Sequence, residues 1–235
     1  MAADKLALYN EALGHLGERR LASLAENREP RRALDQAWAA AVLYTLEQAK
    51  WSFAIRSVQL APVPSIAPGF GYGLAYQKPN DWLKTTAVAT DERFTHPLVR
   101  YTDESGFWWT DTDPLFVRYV STDPAYGLDL SRWSPTFGEY LALRLAQKTC
   151  QRITGSTSLM GDLVKLEDVA RKRAKSNDAN NTPPVFPPPG SWVRARTGRM
   201  SSEGESSGSA GLTTTSDPQL PTDFITVTVD GGLEG

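Results

Sequence analysis

Apolar residues recur at helical spacing in the first quarter of the chain. One set lies three or four positions apart and comprises Leu6, Tyr9, Leu13 and Leu16. This spacing places the four side chains on one face and predicts a helix over residues 3–16. Pro30 fits the first turn of a second helix, because proline lacks an N–H that this turn would leave unpaired. The apolar pattern that follows predicts a long helix over residues 31–54.

The helical spacing returns after residue 134 and predicts two more helices. The first begins near Thr136, directly after Pro135, and includes the single cysteine, Cys150, beside its apolar positions. The second covers residues 156–176, where the spacing joins Leu159, Leu163, Leu166 and Ala170. Basic residues crowd the second half of this last helix, where they complement the helix dipole.

Between these helices the pattern changes to short segments typical of β-strands. Residues 56–60 look extended, and residues 61–73 are rich in proline and glycine, which predicts a loop. Ser105 and Gly106 are a plausible hairpin turn, and Asp113–Pro114 marks another turn. The strands predicted around them cover residues 82–90, 99–102, 107–110 and 115–120. Short strands at regular spacing indicate a small antiparallel sheet or barrel.

The composition shifts again at Asn177, where a polar tail begins. Prolines cluster over residues 183–189, and residues 201–216 are rich in serine, glycine and threonine, so we expect the latter to be disordered in isolation. Apolar residues and threonines alternate over residues 224–229, which predicts a strand without a partner nearby in sequence. Tryptophan and arginine often anchor interfaces, and a lone strand can extend another protein's sheet. The residues expected to dock onto a partner are Trp192, Arg194, Arg196, Arg199, Phe224, Ile225 and Val227.

Composition and charge exclude several classes of protein. The chain has 235 residues, of which 40% are hydrophobic and 22% charged, and its formal net charge is -2. This charge argues against a dedicated nucleic-acid-binding protein, whose binding domain is usually strongly basic. No apolar run is long enough to cross a membrane, and the first residues do not resemble a signal peptide. A single cysteine excludes an internal disulfide and fits a reducing compartment during assembly.

No arrangement of residues predicts catalysis, a cofactor or a metal ion. His15 and His96 stand in unlike surroundings, and no nucleophile-elbow, phosphate-loop, dinucleotide or zinc pattern is present. Asp111 and Asp113 supply two acidic ligands, whereas a calcium site needs about six to eight oxygens. A turn between strands explains these two aspartates better. We therefore expect no catalytic, cofactor-binding or metal-binding residue.

An aromatic cluster in the β-rich section admits two interpretations. Its members are Trp82, Phe107, Trp108, Trp109, Phe116 and Tyr119. A stacking platform for carbohydrate or nucleic acid is one. A hydrophobic core and subunit interface is the other, and it is favoured because aromatic side chains dominate both.

Four motifs in this order resemble the head-to-tail adaptor family of tailed, chiefly short-tailed, bacteriophages, also called tail tubular protein A or head-completion proteins. They are LYNEALGHLG at residues 8–17, WSFA at 51–54, YQKPNDWL at 76–83 and TGS at 154–156. Each motif is short, and their order and spacing carry the specificity. The resemblance covers roughly residues 3–176 and leaves the tail outside it.

The resemblance implies a fold and an assembly. The fold would be an α+β protein: an antiparallel helical bundle with an inserted small antiparallel β domain and a long extended C-terminal tail. The corresponding segments are residues 1–56 and 135–176 for the helices, 57–134 for the β domain and 177–235 for the tail. Copies would form a dodecameric ring, contacting the portal protein above and a tail nozzle or tube below. Double-stranded DNA would pass through its lumen without specific binding.

The expected protein is thus a structural, non-enzymatic component of the virion neck, assembled in the host bacterial cytoplasm without membrane contact. Its tail would clamp onto the portal through Trp192, Arg194 and Arg196. Two other functions remain open. A virion-associated cell-wall hydrolase would need a pair of carboxyl groups at a cleft, and the β-rich section offers only Glu92 and Glu104, both expected in turns. A glycan-binding tail module would use the tryptophans.

Overall fold

The chain folds into an α+β structure, as its pattern of residues predicts. The computed structural model describes residues 4–66 and 71–181. Within these ranges there are four helices and two three-stranded antiparallel sheets. The helices are α1 (Lys5–His15), α2 (Glu29–Glu47), α3 (Pro135–Ile153) and α4 (Thr157–Asn180). The strands are β1 (Ile55–Leu60), β2 (Leu74–Gln77), β3 (Trp82–Ala89), β4 (Thr102–Glu104), β5 (Phe107–Thr110) and β6 (Leu115–Ser121).

Helix α3 is the element on which α1, α2 and α4 all pack. It is buried on most of its surface, which fits a helix covered on several sides. Glu29, at the start of α2, forms an ion pair with Arg152 near the end of α3. Trp51, just after α2, packs edge-on against Phe137 near the start of α3, with ring centroids 4.9 Å apart. These contacts show that α2 runs opposite to α3.

Helix α4 also runs opposite to α3. Arg173 in its second half approaches Glu139 near the start of α3, at 3.8 Å. Earlier in α4, Glu167 accepts a hydrogen bond from Arg144 at 3.4 Å. Because α2 and α4 both oppose α3, they point in the same direction. They meet near Arg144 of α3, whose guanidinium lies over the Tyr44 ring of α2 and donates a hydrogen bond to Glu167 of α4.

Helix α2 ends at Glu47, so the predicted extension to residue 54 is wrong. The chain turns back because the indole Nε1 of Trp51 donates a hydrogen bond to the carbonyl oxygen of Thr45, at 2.9 Å. The same carbonyl also accepts the Gln48 N–H at 3.3 Å, so the indole supplies its second donor at the helix end. Trp51 is fully buried. A single 3₁₀ turn over Ser52–Ala54 then leads into β1.

The two sheets surround a second hydrophobic core. One has the strand order β1–β6–β3 and the other β2–β5–β4. Alternate side chains of β6 serve both cores: Val117 and Tyr119 face Trp108 of the second sheet, whereas Val120 packs with the helices. The central strand β6 therefore joins the sheets to the helices.

Two predictions in the β-rich section need correction. The strand expected at residues 99–102 is wrong, because β4 begins only at Thr102 and pairs with β5. Strand β2 was not predicted at all; it pairs with β5 from the end of the proline- and glycine-rich segment. The hairpin turn is confirmed, since Ser105 and Gly106 have φ values of 52° and 81° between β4 and β5.

Candidate interface surfaces

The seven residues predicted to dock onto a partner lie outside the described part of the chain. They are Trp192, Arg194, Arg196, Arg199, Phe224, Ile225 and Val227. Their role stays a prediction. Helix α4 continues to Asn180 and so passes its expected end at residue 176.

The end of α4 is attached to the turn that follows α2. The carboxylate of Asp178 accepts hydrogen bonds from the Ser52 backbone N–H at 3.0 Å and from the Ser52 hydroxyl at 2.7 Å. Asp178 is buried. Residues 177–180 are therefore part of the folded structure.

The outer surface of α4 carries large apolar side chains that the described residues leave exposed. Leu166 is 50% exposed and Val169 is 63% exposed, and Met160 and Val164 are also exposed. Leu163 and Ala170, which share the helical spacing of Leu166 in the sequence, are buried, whereas Leu166 is not. The buried face consists of Leu163, Glu167, Ala170, Ala174 and Asp178.

Glu167 belongs to the buried face because it has a charged partner. The Arg144 guanidinium donates to its carboxylate and also lies over the ring of Tyr44, 3.8 Å from the ring centroid. The neighbouring hydroxyl of Tyr140 and Nε of Arg144 are buried without a hydrogen-bond partner among the described residues. Burial, followed by the charge of Glu167, raises the pKa of Tyr140 above its usual range. This polar cluster links α2, α3 and α4.

A second polar cluster centres on Asp81, the aspartate of the YQKPNDWL motif at residues 76–83. Its carboxylate accepts hydrogen bonds from the Ser121 hydroxyl at 2.5 Å, the Arg56 guanidinium at 3.0 Å and the Tyr119 hydroxyl at 3.1 Å. Its backbone carbonyl accepts the Thr122 N–H at 2.7 Å. Asp81 therefore ties β1, β3 and β6 together at one end of the sheet.

The hydrogen bonds at Asp81 outweigh its partial burial. Burial alone would raise the pKa of Asp81, but the bonds from Ser121, Arg56 and Tyr119 hold that pKa below its ordinary value. Burial, then the hydrogen bond to Asp81, raises the pKa of Tyr119. Asp81 is thus a structural carboxylate that stays ionised.

The aromatic cluster divides between a core and a partly exposed face. Trp108 and Tyr119 are fully buried, and Trp82 packs against them. The ammonium of Lys78 lies over the Trp82 ring, 3.6 Å from its centroid, and forms an ion pair with Asp103. These contacts support the core interpretation for three of the six aromatic residues.

Phe107 and Trp109 lie on the opposite face of β5, with ring centroids 5.7 Å apart. Both are half-buried. The indole Nε1 of Trp109 is buried without a hydrogen-bond partner in the described ranges. This pair is the part of the aromatic cluster that could contact another molecule.

The remaining candidate residues have local contacts. Asp111 accepts the Gly73 N–H at 2.6 Å, and Asp113 accepts a hydrogen bond from Tyr76 at 3.4 Å. Asp91 accepts hydrogen bonds from the backbone of Thr95 and His96, and the His96 ring is largely exposed. Within residues 4–66 and 71–181, no group of three or more histidine, cysteine or acidic residues is placed to hold a metal ion.

No helix in the described ranges is both long and apolar enough to cross a membrane. No protein-family model matches the chain, and no curated protein matches it.

Proposed function

We propose that the protein is a head-to-tail adaptor of a tailed bacteriophage, a structural subunit whose copies form a ring between the portal and the tail nozzle or tube. The motifs at residues 8–17, 51–54, 76–83 and 154–156 support this proposal, as does their arrangement along the chain. Helices α1 and α2 precede the strands and α3 and α4 follow them. This order fits an antiparallel helical bundle with an inserted β domain.

The observation that carries the proposal is the exposed apolar surface of α4. Leu166 and Val169 remain half exposed or more although the helix already buries another face against α3. Large contiguous patches of exposed apolar side chains are typical of interaction sites on soluble proteins. A ring subunit has two neighbours and two axial partners to cover such a surface.

The lumen of the ring would let double-stranded DNA pass without gripping it. The net charge of -2 suits this role, because each phosphate contact made by a lysine or arginine adds affinity. In this proposal the protein acts mechanically, resides in the virion neck and is assembled in the host cytoplasm.

The tail would clamp onto the portal, with Trp192, Arg194 and Arg196 as anchors. A truncation that tests this must spare Asp178, which holds the Ser52 turn. We therefore compare the full chain with a chain that ends at Asn181. The shortened chain should keep the thermal stability of the full chain and lose binding to the purified portal. The triple alanine variant of the three anchors, which keeps the tail length, should show the same loss. Unchanged portal binding by both would refute the clamp.

The test of the function is cryo-electron microscopy of the neck of the virion that carries this chain. The expected result is a ring of this chain between portal and tail. Its location elsewhere would refute the adaptor and direct attention to the hydrolase and glycan-binding alternatives. Clearing of a cell-wall suspension would support the first, and sugar-dependent quenching of tryptophan fluorescence the second.

A further inference from the structure

The exposed apolar side chains of α4 form a stripe with unlike charges at its two ends. Asp162, Leu166, Val169 and Arg173 are separated by four, three and four residues, which places them on one helix face. The acidic member lies near the start of α4 and the basic member near its end. Both charged side chains are 70% exposed. The stripe is therefore accessible along about three turns of helix.

The outer face of α2 has the reverse arrangement of charge. Arg32, Ala39, Leu43 and Glu47 share one face of this helix, with the basic residue first and the acidic residue last. Leu43 is 40% exposed, and the alanine beside it leaves the surface flat. Bulky side chains of another helix can approach such a surface closely.

The two stripes match when the helices lie side by side and point in the same direction. Asp162 then lies near Arg32, and Arg173 lies near Glu47. Leu166 and Val169 face Ala39 and Leu43. On α2 the two charged residues, Arg32 and Glu47, are 15 residues apart, and on α4 Asp162 and Arg173 are 11 residues apart. The difference is about one helical turn, which an arginine side chain can bridge.

The orientation of the helices within one subunit satisfies this requirement. Helices α2 and α4 both oppose α3 and so point in the same direction. Neighbours in a ring differ only by a rotation, of about 30° for twelve members, so α4 of one copy and α2 of the next stay nearly parallel. Two different faces of one subunit are what a closed head-to-tail ring needs.

We propose that the α4 stripe of one copy binds the α2 stripe of the next, and that this contact builds the ring. Because this contact would close the proposed ring, it rests on the proposed function. Beyond that function, it specifies which two surfaces meet and the relative direction of the two helices.

The test uses the full chain and variants that damage one stripe each. Val169→Asp places a charge in the α4 stripe, and Leu43→Asp does so in the α2 stripe. Val99→Asp is the matched control, since Val99 is 85% exposed in the β-rich section. Circular dichroism and thermal unfolding establish that all three variants are folded. Sedimentation velocity over a concentration series then measures self-association.

The unaltered chain and the Val99→Asp control should assemble alike. Each stripe variant should weaken association at least about tenfold, the effect of losing one well-packed interface side chain. An equimolar mixture of the two stripe variants should give a heterodimer and nothing larger, because one intact contact remains between them. This result distinguishes a head-to-tail contact from one that uses the same surface twice.

The charges provide a second readout. Glu47→Arg and Arg173→Glu should each weaken association, and the two together in one chain should restore it. If both stripe variants associate as strongly as the unaltered chain, the proposed contact is refuted. It is also refuted if the unaltered chain stays monomeric in solution at the highest concentration reached and forms no ring when added to isolated portals. A ring located in the neck but built through other surfaces would overturn this contact and leave the adaptor function intact. If assembly depends on the stripes but the protein is absent from the neck, the contact would be supported and the adaptor function refuted.

Discussion

Replacing Asp81 by asparagine tests whether one carboxylate holds the first sheet together. The carboxylate accepts hydrogen bonds from three donors, and two of these, the hydroxyls of Tyr119 and Ser121, belong to fully buried residues. An asparagine keeps one acceptor oxygen and presents an N–H₂ group to the others. The hydroxyls then lose their charged acceptor, and one that faces the N–H₂ group must reorient to accept from it.

The expected cost follows from the individual contacts. A hydrogen bond to a charged group contributes about 1.5–3 kcal/mol, whereas one between neutral groups contributes about 0.5–1.5 kcal/mol, so each bond to the lost carboxylate weakens. The contribution of Arg56 is discounted because its side chain is 34% exposed and water screens the pair. The Asp81→Asn variant should therefore lose about 3 kcal/mol, a large fraction of the roughly 5–15 kcal/mol typical of a domain.

Urea unfolding followed by tryptophan fluorescence measures this loss, since a change in midpoint at constant slope reports stability. Glu104→Gln, the same chemical change at an exposed position in β4, should shift stability by less than about 0.5 kcal/mol. In the double variant with Tyr119→Phe, the combined loss should be smaller than the sum of the single losses, because both changes act on the same hydrogen bond. A loss below about 1 kcal/mol for Asp81→Asn, or strict additivity, would refute the structural role of this cluster.

Three further predictions concern stability. Folding lowers the pKa of Asp81, so the ionised carboxylate contributes stability above the pKa of about 4 that it has in the unfolded chain. That stability is lost as pH falls through the lower pKa of the folded chain. The stability difference between Asp81→Asn and the unaltered chain should therefore be constant between about pH 5 and 7 and shrink below about pH 4. Gly127→Ala should destabilise by about 1–3 kcal/mol, since an added Cβ would overlap a backbone carbonyl of β6, whereas Gly161→Ala meets open space in α4 and should be neutral or stabilising; equal effects on melting temperature would contradict this. Ser156→Ala should cost about 1 kcal/mol, because the Ser156 hydroxyl caps the start of α4, and Ser176→Ala on the exposed surface of the same helix should cost much less.

Apolar spacing and turn chemistry were sufficient to predict most elements of the fold. Helix α1 and the strands β3, β5 and β6 lie within two residues of their predicted ends. Ser105 and Gly106 adopt the positive φ angles that a tight hairpin requires, which a serine–glycine pair makes easy to recognise. In these segments the local preference and the tertiary structure agree.

The end of α2 and the strand β2 could not be predicted from apolar periodicity. The apolar pattern continues past Glu47, and at the helix end the Trp51 indole folds back onto the Thr45 carbonyl. Strand β2 has four residues directly after a glycine-rich segment, and its pairing with β5 stabilises it. Neither feature leaves a periodic signal in the local sequence.

The exposed surface of α4 could not be derived from the sequence for a related reason. Apolar residues occur around much of this helix, and Leu163 and Leu166 both fit a helical stripe. In the structure Glu167 is buried beside Arg144 of α3, whereas Leu166 is half exposed. A helix that pairs a glutamate inside while leaving leucine and valine outside is poorly explained by the stability of one chain alone. The contact that we propose between the α4 stripe of one copy and the α2 stripe of the next would cover this outer face.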